Sequence, residues 1–440
     1  MAAGLLRIIL YAVLASLGLW LAVFRGTPEG DPWYEIGRSF ALLGFLILVL
    51  QFILAARSKW IERPFGLDIL LRFHQHMAAF AFLLLLLHPL LLAGGGQGWR
   101  LLLGLDLPWY IWAGKGALLL LVANVLVSKY QARLGLSFEQ WRVLHDIFAP
   151  LLLLLAFLHS WYAGEDLQLL SLRGLWLAAL AAALAAFLIH RFIRPYRLGR
   201  RPYRVVEVKP EAPEVWSVTL VPPPGESVPA YHPGQFHFLT FHRGRGLPEE
   251  EHHWTISSSP AQHRTLSSTI KAVGDFTKTI GQTQPGDTAT VHGPFGRFAY
   301  TLHPEDRDLV FIAGGIGITP LMGMLRHMRD TRDGRSVLLL YANRKQEQIV
   351  FYEELNQIEA GGYPRLRTVH VLSRPDAGWT GESGRLDREK VAKYCGPEPG
   401  SNTFYVCGPP GMVRIILQTL RDMGVPDRAI RTEIFSFLDS

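Results

Sequence analysis

The sequence predicts a multi-domain chain: a six-helix transmembrane bundle, then an antiparallel β-barrel, then a doubly wound α/β nucleotide-binding unit. Three observations carry this. Six apolar segments fill roughly the first 190 of 440 residues. Between about residues 200 and 300, short alternating runs (204–208, 216–221) are broken by turns such as Pro222-Pro223-Pro224-Gly225, the texture of a small barrel. From residue 309, strand-like runs (309–313, 337–341, 368–372, 403–406) alternate with helix-like stretches across glycine-rich turns. The expected domains are 1–195, 201–302 and 306–440.

The apolar segments lie near 5–24, 39–56, 73–93, 108–127, 146–162 and 170–190. Each is about long enough to span, the fifth being short. The first follows Arg7 without a convincing cleavage site and reads as a span, not a removable signal peptide. Loop charge alternates. Loop 25–38 carries Glu29, Asp31 and Glu35, and loop 161–169 carries Glu165 and Asp166. Loop 57–72 carries Arg57, Lys59, Arg63 and Arg72, and loop 128–142 carries Lys129, Arg133 and Arg142. This bias predicts a multi-pass cell-membrane protein with both termini in the cytoplasm. The +7 formal charge and pI near 9.4 do not indicate nucleic-acid binding. Six arginines (191, 194, 197, 200, 201, 204) cluster after the last apolar segment, where an anionic cytoplasmic leaflet explains them. The two cysteines, Cys395 and Cys407, are too few for a disulfide scaffold or an iron–sulfur cluster.

Two histidine pairs share one spacing: His74 with His88 and His145 with His159, each 14 residues apart. Along a helix that is roughly 21 Å, and both members face within roughly 40° of one direction. Two such helices face to face supply two stacked bis-histidine sites, suited to the iron of two b-type haems. With the orientation that the loop charges predict, His74/His145 lie toward the cytoplasm and His88/His159 toward the outside. His76 competes with His74 but is rotated about 120° from the ligand face. His190 has no partner at the right spacing. Arg72 and Arg142 could neutralise haem propionates or simply follow the positive-inside rule. Lys115, behind Trp109, Tyr110 and Trp112, either snorkels to the surface or sets a positive charge beside the outer haem.

The segments Leu71-Arg72-Phe73-His74 to His88 and Trp141-Arg142-Val143-Leu144-His145 to His159 resemble the ferric reductase transmembrane domain shared by ferric-chelate reductases and NADPH oxidases. The chain is similar to the prokaryotic type of that superfamily over nearly its whole length, because later motifs match the dehydrogenase half in order. His232-Pro233-Gly234-Gln235-Phe236 precedes His252-His253-Trp254-Thr255, which resembles the family's His-Pro-Phe-Thr signature for FAD. The resemblance implies that Trp254 stacks near the flavin, Thr255 hydrogen-bonds the ring, and His252 lies toward the pyrophosphate; His253 and Trp254 depart from the family's Pro and Phe. Lys271-Ala272-Val273-Gly274-Asp275-Phe276-Thr277 resembles the pyrophosphate clamp, with Gly274 admitting backbone N–H groups and the next helix offering its positive end. Gly293-Pro294-Phe295-Gly296 resembles the turn closing the flavin domain.

Gly314-Gly315-Ile316-Gly317-Ile318-Thr319-Pro320 follows a strand and matches the ferredoxin-reductase-type pattern for a nicotinamide dinucleotide. Cys407-Gly408-Pro409-Pro410 lies at the next crevice, where the resemblance implies a Cys near the nicotinamide. Ser373-Arg374, or Arg344, could accept a 2′-phosphate, which leaves NADH and NADPH both open as donors. Glu433-Ile434-Phe435 resembles the closing acidic–x–aromatic element, with Phe435 over the flavin and Phe437 as an alternative. The resemblance thus implies an NAD(P)H-dependent oxidase or ferric-chelate reductase of a bacterial inner membrane, with Thr255, Cys407 and Phe435 at the reacting centre. Electrons would pass from NAD(P)H through FAD and the two haems to oxygen, giving superoxide, or to a ferric chelate, giving Fe(II). A module donating electrons to a membrane or periplasmic redox partner is the alternative.

Overall fold

The computed structural model describes residues 2–23, 31–396 and 399–433. The chain divides into two compact units, Met1–Arg194 and Pro195–Ser440.

Among the described residues of the first unit, six helices are long and apolar enough to cross a membrane. They are α1 (Ala2–Val23), α2 (Pro32–Ala55), α3 (Leu67–Leu92), α4 (Trp109–Tyr130), α5 (Phe138–Ala163) and α6 (Leu170–Leu188). Several begin earlier than hydropathy suggests. The fifth segment, expected to be short, is a 26-residue helix, and Glu35, Arg72 and Arg142 lie inside helices, not loops. Caps account for the extra turns. Asp31 accepts from Trp33 N at 2.8 Å ahead of Pro32 in the first turn of α2. Ser137 and Gln140 form a reciprocal capping box at the start of α5. Lateral packing uses small residues, the means of close approach when lipid supplies no hydrophobic drive. A Cβ on Gly18 would meet Trp176 at 3.0 Å, and one on Gly44 would meet Leu85 at 2.8 Å. Trp176 stacks on Phe45 with ring centroids 4.9 Å apart.

In the second unit, β1 (Tyr203–Ala212), β2 (Val215–Val221), β3 (Phe236–His242), β4 (Glu251–Thr255), β5 (Leu266–Lys271) and β6 (Thr288–Phe295) form an antiparallel sheet in the order β4-β3-β6-β1-β2-β5. Its two ends meet: Ile256 bridges Ser268, and Ser257 N donates to Ser267 O at 2.8 Å. The sheet therefore curls into a barrel around Val205, Val218, Leu220, Leu239, Phe241 and Ile270. His237 is buried here and shares a 2.7 Å hydrogen bond with Ser268 Oγ.

The strands β7 (Asp308–Gly314), β8 (Ser336–Asn343), β9 (Arg365–Leu372), β10 (Glu382–Ser383), β11 (Thr403–Cys407) and β12 (Ile430–Glu433) form a parallel sheet ordered β10-β9-β8-β7-β11-β12. Helices α7 (Ile318–Asp330) and α8 (Tyr352–Gly361) cover one face, through Leu321, Leu325, Leu355 and Ile358. Helices α9 (Arg388–Cys395) and α10 (Pro410–Asp422) cover the other, through Val391, Val413, Ile416 and Leu420. This is the doubly wound arrangement the strand–helix alternation predicts. Arg326 on α7 joins barrel to sheet: it pairs with Glu354 at 2.6 Å and donates to Ser257 O at 2.7 Å.

Burial pulls the His237 imidazole down to about 3 from 6.5. The unfolded chain therefore binds a proton below pH 6.5 that the barrel refuses, so stability falls as pH drops from 6.5 toward 3. The slope is roughly 1.4 kcal/mol per pH unit from this group. His237→Gln should flatten that decline, as read by denaturant unfolding across the window.

Candidate functional site

In the membrane unit the structure brings α3 and α5 face to face through their histidines. The rings of His88 and His159 have centroids 6.4 Å apart and planes at 64°. Metal–imidazole bonds are about 2 Å long, so two imidazoles sharing one metal ion place their ring centres roughly 6 Å apart. The Nδ1 atoms are engaged elsewhere. His88 Nδ1 bonds Gly37 O at 2.9 Å, His159 Nδ1 bonds Tyr110 O at 2.9 Å, and His145 Nδ1 bonds Asn124 Oδ1 at 3.0 Å. A carbonyl acceptor fixes Nδ1 as the protonated nitrogen and leaves Nε2 to act as a ligand. His74 Nδ1 is buried without a bonded partner among the described residues. Its electrostatic neighbours include His145. This donor set fits haem iron. Between the two histidine tiers, Ala81, Leu84, Ala117, Leu121 and Leu152 form a buried apolar layer. Ala81 and Leu152 each lie midway, seven residues from both of these histidines of their helix.

Gly114 is what lets the His159 ring lie where it does: a Cβ there would sit 2.6 Å from Nδ1. Trp141 lies beside His145 with ring centroids 5.6 Å apart, its indole N–H donating to Ser128 Oγ at 3.0 Å. His76 is exposed and bonds the Arg72 carbonyl of its own helix at 2.7 Å. His190 lies in a π-helical turn, Ile189–Ile193, with Arg194 at 3.4 Å. Arg72 pairs with Asp68 at 2.9 Å on the surface, and Arg142 lies 6.0 Å over the Phe138 ring. Lys115 is half-buried. Its ammonium donates to Leu102 O at 2.9 Å and Gly104 O at 3.2 Å, at the end of the short helix Arg100–Leu103, and lies 4.6 Å over Trp112. Carbonyls at a helix C-terminus attract a cation.

In the second unit, β4 (Glu251–Thr255) carries the residues that the sequence assigns to a flavin. Trp254 packs into the barrel wall, 5.9 Å from Phe276 with planes at 28° and 5.8 Å from Phe241. His252 stacks on Phe276 at 4.4 Å and pairs with Glu250 at 3.0 Å. Thr255 points to the opposite side of the strand from Trp254. Its Oγ1 is buried without a partner among the described residues, as a hydroxyl reserved for a ligand atom would be. Thr255 is in register with Phe236, and Phe236 packs on Gly296, whose missing Cβ would lie 3.2 Å from Glu433 Oε1. Glu433 is in register with Cys407. Thr255 and Cys407 are thereby linked through one wall of neighbours. Phe435 and Phe437 lie outside the described residues.

The clamp segment differs in detail from its expectation. Lys271 is exposed at the end of β5, but Thr277 Oγ1 already accepts from Val273 N and Gly274 N at 2.9 Å each. These two N–H groups hold the turn together instead of standing open, because a hydroxyl at 277 caps them.

The nucleotide turn is packed as its glycines require. A Cβ on Gly317 would collide with Cys407 O, and one on Gly314 would meet Met412 Sδ at 2.5 Å and Pro409 Cδ at 2.8 Å. A Cβ on Gly408 would lie 3.1 Å from Gly314 Cα and N. Gly315, at φ +51, faces open space, where a phosphate could come close. Thr319 caps the turn by donating to Ile316 O at 3.1 Å, and Pro320 sits in the first turn of α7. Ser373 and Arg374 leave β9 beside Arg344: Arg374 N donates to Arg344 O at 2.8 Å and Ser373 N to Asn343 O at 3.0 Å. Both guanidinium groups are exposed at the carboxyl edge of the sheet. Burial, then the Glu433 charge, push the Cys407 thiol well up.

Sequence reasoning missed Gly37, Tyr110, Gly114 and Asn124. An amide alone in an apolar span was a legible signal for Asn124. The others act through main-chain oxygen or a missing side chain, which leave no sequence signature.

Residues 40–156 match the family model described as ferric reductase like transmembrane component, and 311–418 match the oxidoreductase NAD-binding domain. The chain is 31% identical to NADH-cytochrome b5 reductase 2 of Rattus norvegicus over 157 residues, 32% of this chain and 57% of that protein. It is 28% identical to the flavohemoprotein of Bordetella pertussis over 254 residues, 54% of this chain and 61% of that one. The chain thus spans little more than half the length of these curated relatives. Among solved structures, flavohemoglobin from Malassezia yamatoensis with bound FAD and heme gives a TM-score of 0.50 at 15% identity, over 93% of this chain and 99% of that one.

Burial pushes the Cys395 thiol up to about 11 from 9.0, which leaves roughly a hundredfold less thiolate at pH 8 than an ordinary cysteine has. Burial raises the Cys407 thiol well above the ordinary value too. Iodoacetamide at pH 8 should leave both native thiols unmodified over a period that fully labels the unfolded chain, as read by intact mass.

Proposed function

We propose that this chain, which joins a ferric-reductase-like transmembrane component to an oxidoreductase NAD-binding domain, is a transmembrane oxidoreductase. It takes electrons from NADH or NADPH on the cytoplasmic side and delivers them through FAD and two haems to an acceptor outside. That acceptor is oxygen, giving superoxide, or a ferric chelate, giving Fe(II). The observation that carries this reading is the pair of imidazoles 6.4 Å apart, with both Nδ1 atoms committed to carbonyls. Bound cofactors supply the redox chemistry: hydride from nicotinamide to flavin, single electrons from flavin to haem.

The chain's own residues bind, orient and insulate. His74 with His145, and His88 with His159, are the proposed axial ligands. Gly315 and its neighbours admit the dinucleotide phosphates, and Arg374 with Arg344 offers charge to a 2′-phosphate. Thr255 Oγ1 holds a hydrogen bond for the flavin ring. Cys407 stays a protonated thiol and supplies a compact, uncharged wall beside the nicotinamide. Lys/Arg loop bias supports a cytoplasmic placement of both termini, in a bacterial inner membrane. The domain limits proposed are 1–195, 201–302 and 306–440.

Anaerobic addition of NADH and NADPH in turn to the purified protein, followed by oxygen or ferric citrate, tests the reading. Reduction of the Soret band by one nucleotide and rapid reoxidation by one acceptor are expected. Slow reoxidation by both would point to a dedicated redox partner instead, and absence of any haem band would sink the proposal. Gly114→Val should remove about one of two haems per chain, as counted by pyridine haemochrome. Arg374→Ala should raise the KM for NADPH roughly tenfold, the worth of one charge-assisted bond, and leave that for NADH within about twofold.

A further inference from the structure

The candidate ligands differ in what receives the Nδ1 proton. For three of them the acceptor is in place: Gly37 O, Tyr110 O and Asn124 Oδ1. His74 is the exception, and it is not alone. Its Nδ1, Gln51 Oε1 on α2 and the Tyr11 hydroxyl on α1 are all buried without a bonded partner among the described residues. Gln51 links the other two. Its side chain faces the Tyr11 hydroxyl, and its main-chain carbonyl faces the His74 ring. Neither approach has closed into a bond of good geometry. Gln51 is only 7% exposed, and its amide N–H is spent on Ile47 O at 3.0 Å within its own helix. The Tyr11 ring is held edge-on by Phe73, beside His74, at 5.0 Å.

A buried polar group left unpaired is costly. Three from three helices at one place form a cluster whose bonds close together when the imidazole is pulled into line at Nε2. We propose that Gln51 and Tyr11 are the positioning residues of the inner ligand His74: the Tyr11 O–H donates to Gln51 Oε1, which steadies the turn of α2 whose carbonyl accepts from His74 Nδ1. This rests on the two-haem reading above. Donation from Nδ1 enriches Nε2 in electron density and favours ferric iron, so loosening this support raises the inner potential and leaves the outer one alone. The outer tier also leans on main-chain carbonyls, those of Gly37 and Tyr110; what sets His74 apart is the further support that runs through the Gln51 side chain to Tyr11.

The test is an equilibrium redox titration of the purified, haem-loaded, full-length protein, resolved into two components. Gln51→Leu and Tyr11→Phe should each shift one component upward, and Asn124→Leu, across the same tier, should shift that same component. A tenfold change in the reduction equilibrium, 59 mV for one electron, is expected for Gln51→Leu, and a smaller one for Tyr11→Phe. Tyr11→Phe removes one oxygen and keeps the contact with Phe73, so it reports even if Gln51→Leu fails to fold. The inference is overturned if both components stay put in both variants, if both move together, or if the component that moves is not the one Asn124→Leu moves. Wild-type protein without haem bands would instead defeat the two-haem reading itself.

Discussion

An imidazole placed inside an apolar bundle must hand its Nδ1 proton to something, and the membrane unit is arranged around where those protons go. The acceptor for His88 is a carbonyl of α2, and those for His145 and His159 are a side chain and a carbonyl of α4. Each bond therefore ties a histidine helix to a neighbour. The neighbours must come close, and glycine is what permits it. A Cβ on Gly37 would meet Leu91 at 3.0 Å and the His88 carbonyl at 3.2 Å, and one on Gly114 would strike the His159 ring. With hydrocarbon on every side, no water is at hand to satisfy a stray N–H. The packing of α2 on α3 and of α4 on α5 thus follows from the requirement that the rings be oriented and satisfied at once.

The same economy governs the second unit, with backbone in place of imidazole. Gly314, Gly317 and Gly408 let the turns after β7 and β11 lie against each other, so that two strand ends share one crevice. The barrel is held to this sheet by Arg326, which satisfies Glu354 and the Ser257 carbonyl together. Thr255 and Cys407 belong to different sheets, yet they reach a common wall through Phe236, Gly296 and Glu433. A hydroxyl without a partner among the described residues and a thiol that stays neutral are suited to a wall that touches uncharged ring systems.

Much of this was legible in the sequence, and the reasons are specific. The 14-residue spacing of His74 with His88 and of His145 with His159 survives folding because helical periodicity is rigid. The glycine turn at 314–317 was readable because only glycine tolerates so tight a junction. Helix starts were misjudged at α2, α3 and α5, since hydropathy sees the apolar centre and not the capped, polar first turns. The partners of Lys115 are the carbonyls of Leu102 and Gly104, groups that every residue carries and no sequence advertises. The clamp at 271–277 was read as open N–H groups, but a threonine hydroxyl satisfies two of them locally. Contacts made through main-chain oxygen, or through the space a glycine leaves, come into view only with the fold.

The hydrocarbon layer of Ala81, Leu84, Ala117, Leu121 and Leu152 has a further consequence. None of these side chains can bind or relay a proton, so nothing in that layer neutralises an electron that passes through it. In the proposed reading the molecule behaves as a wire through a capacitor: each turnover discharges the membrane a little, and sustained current requires a separate route for compensating cations.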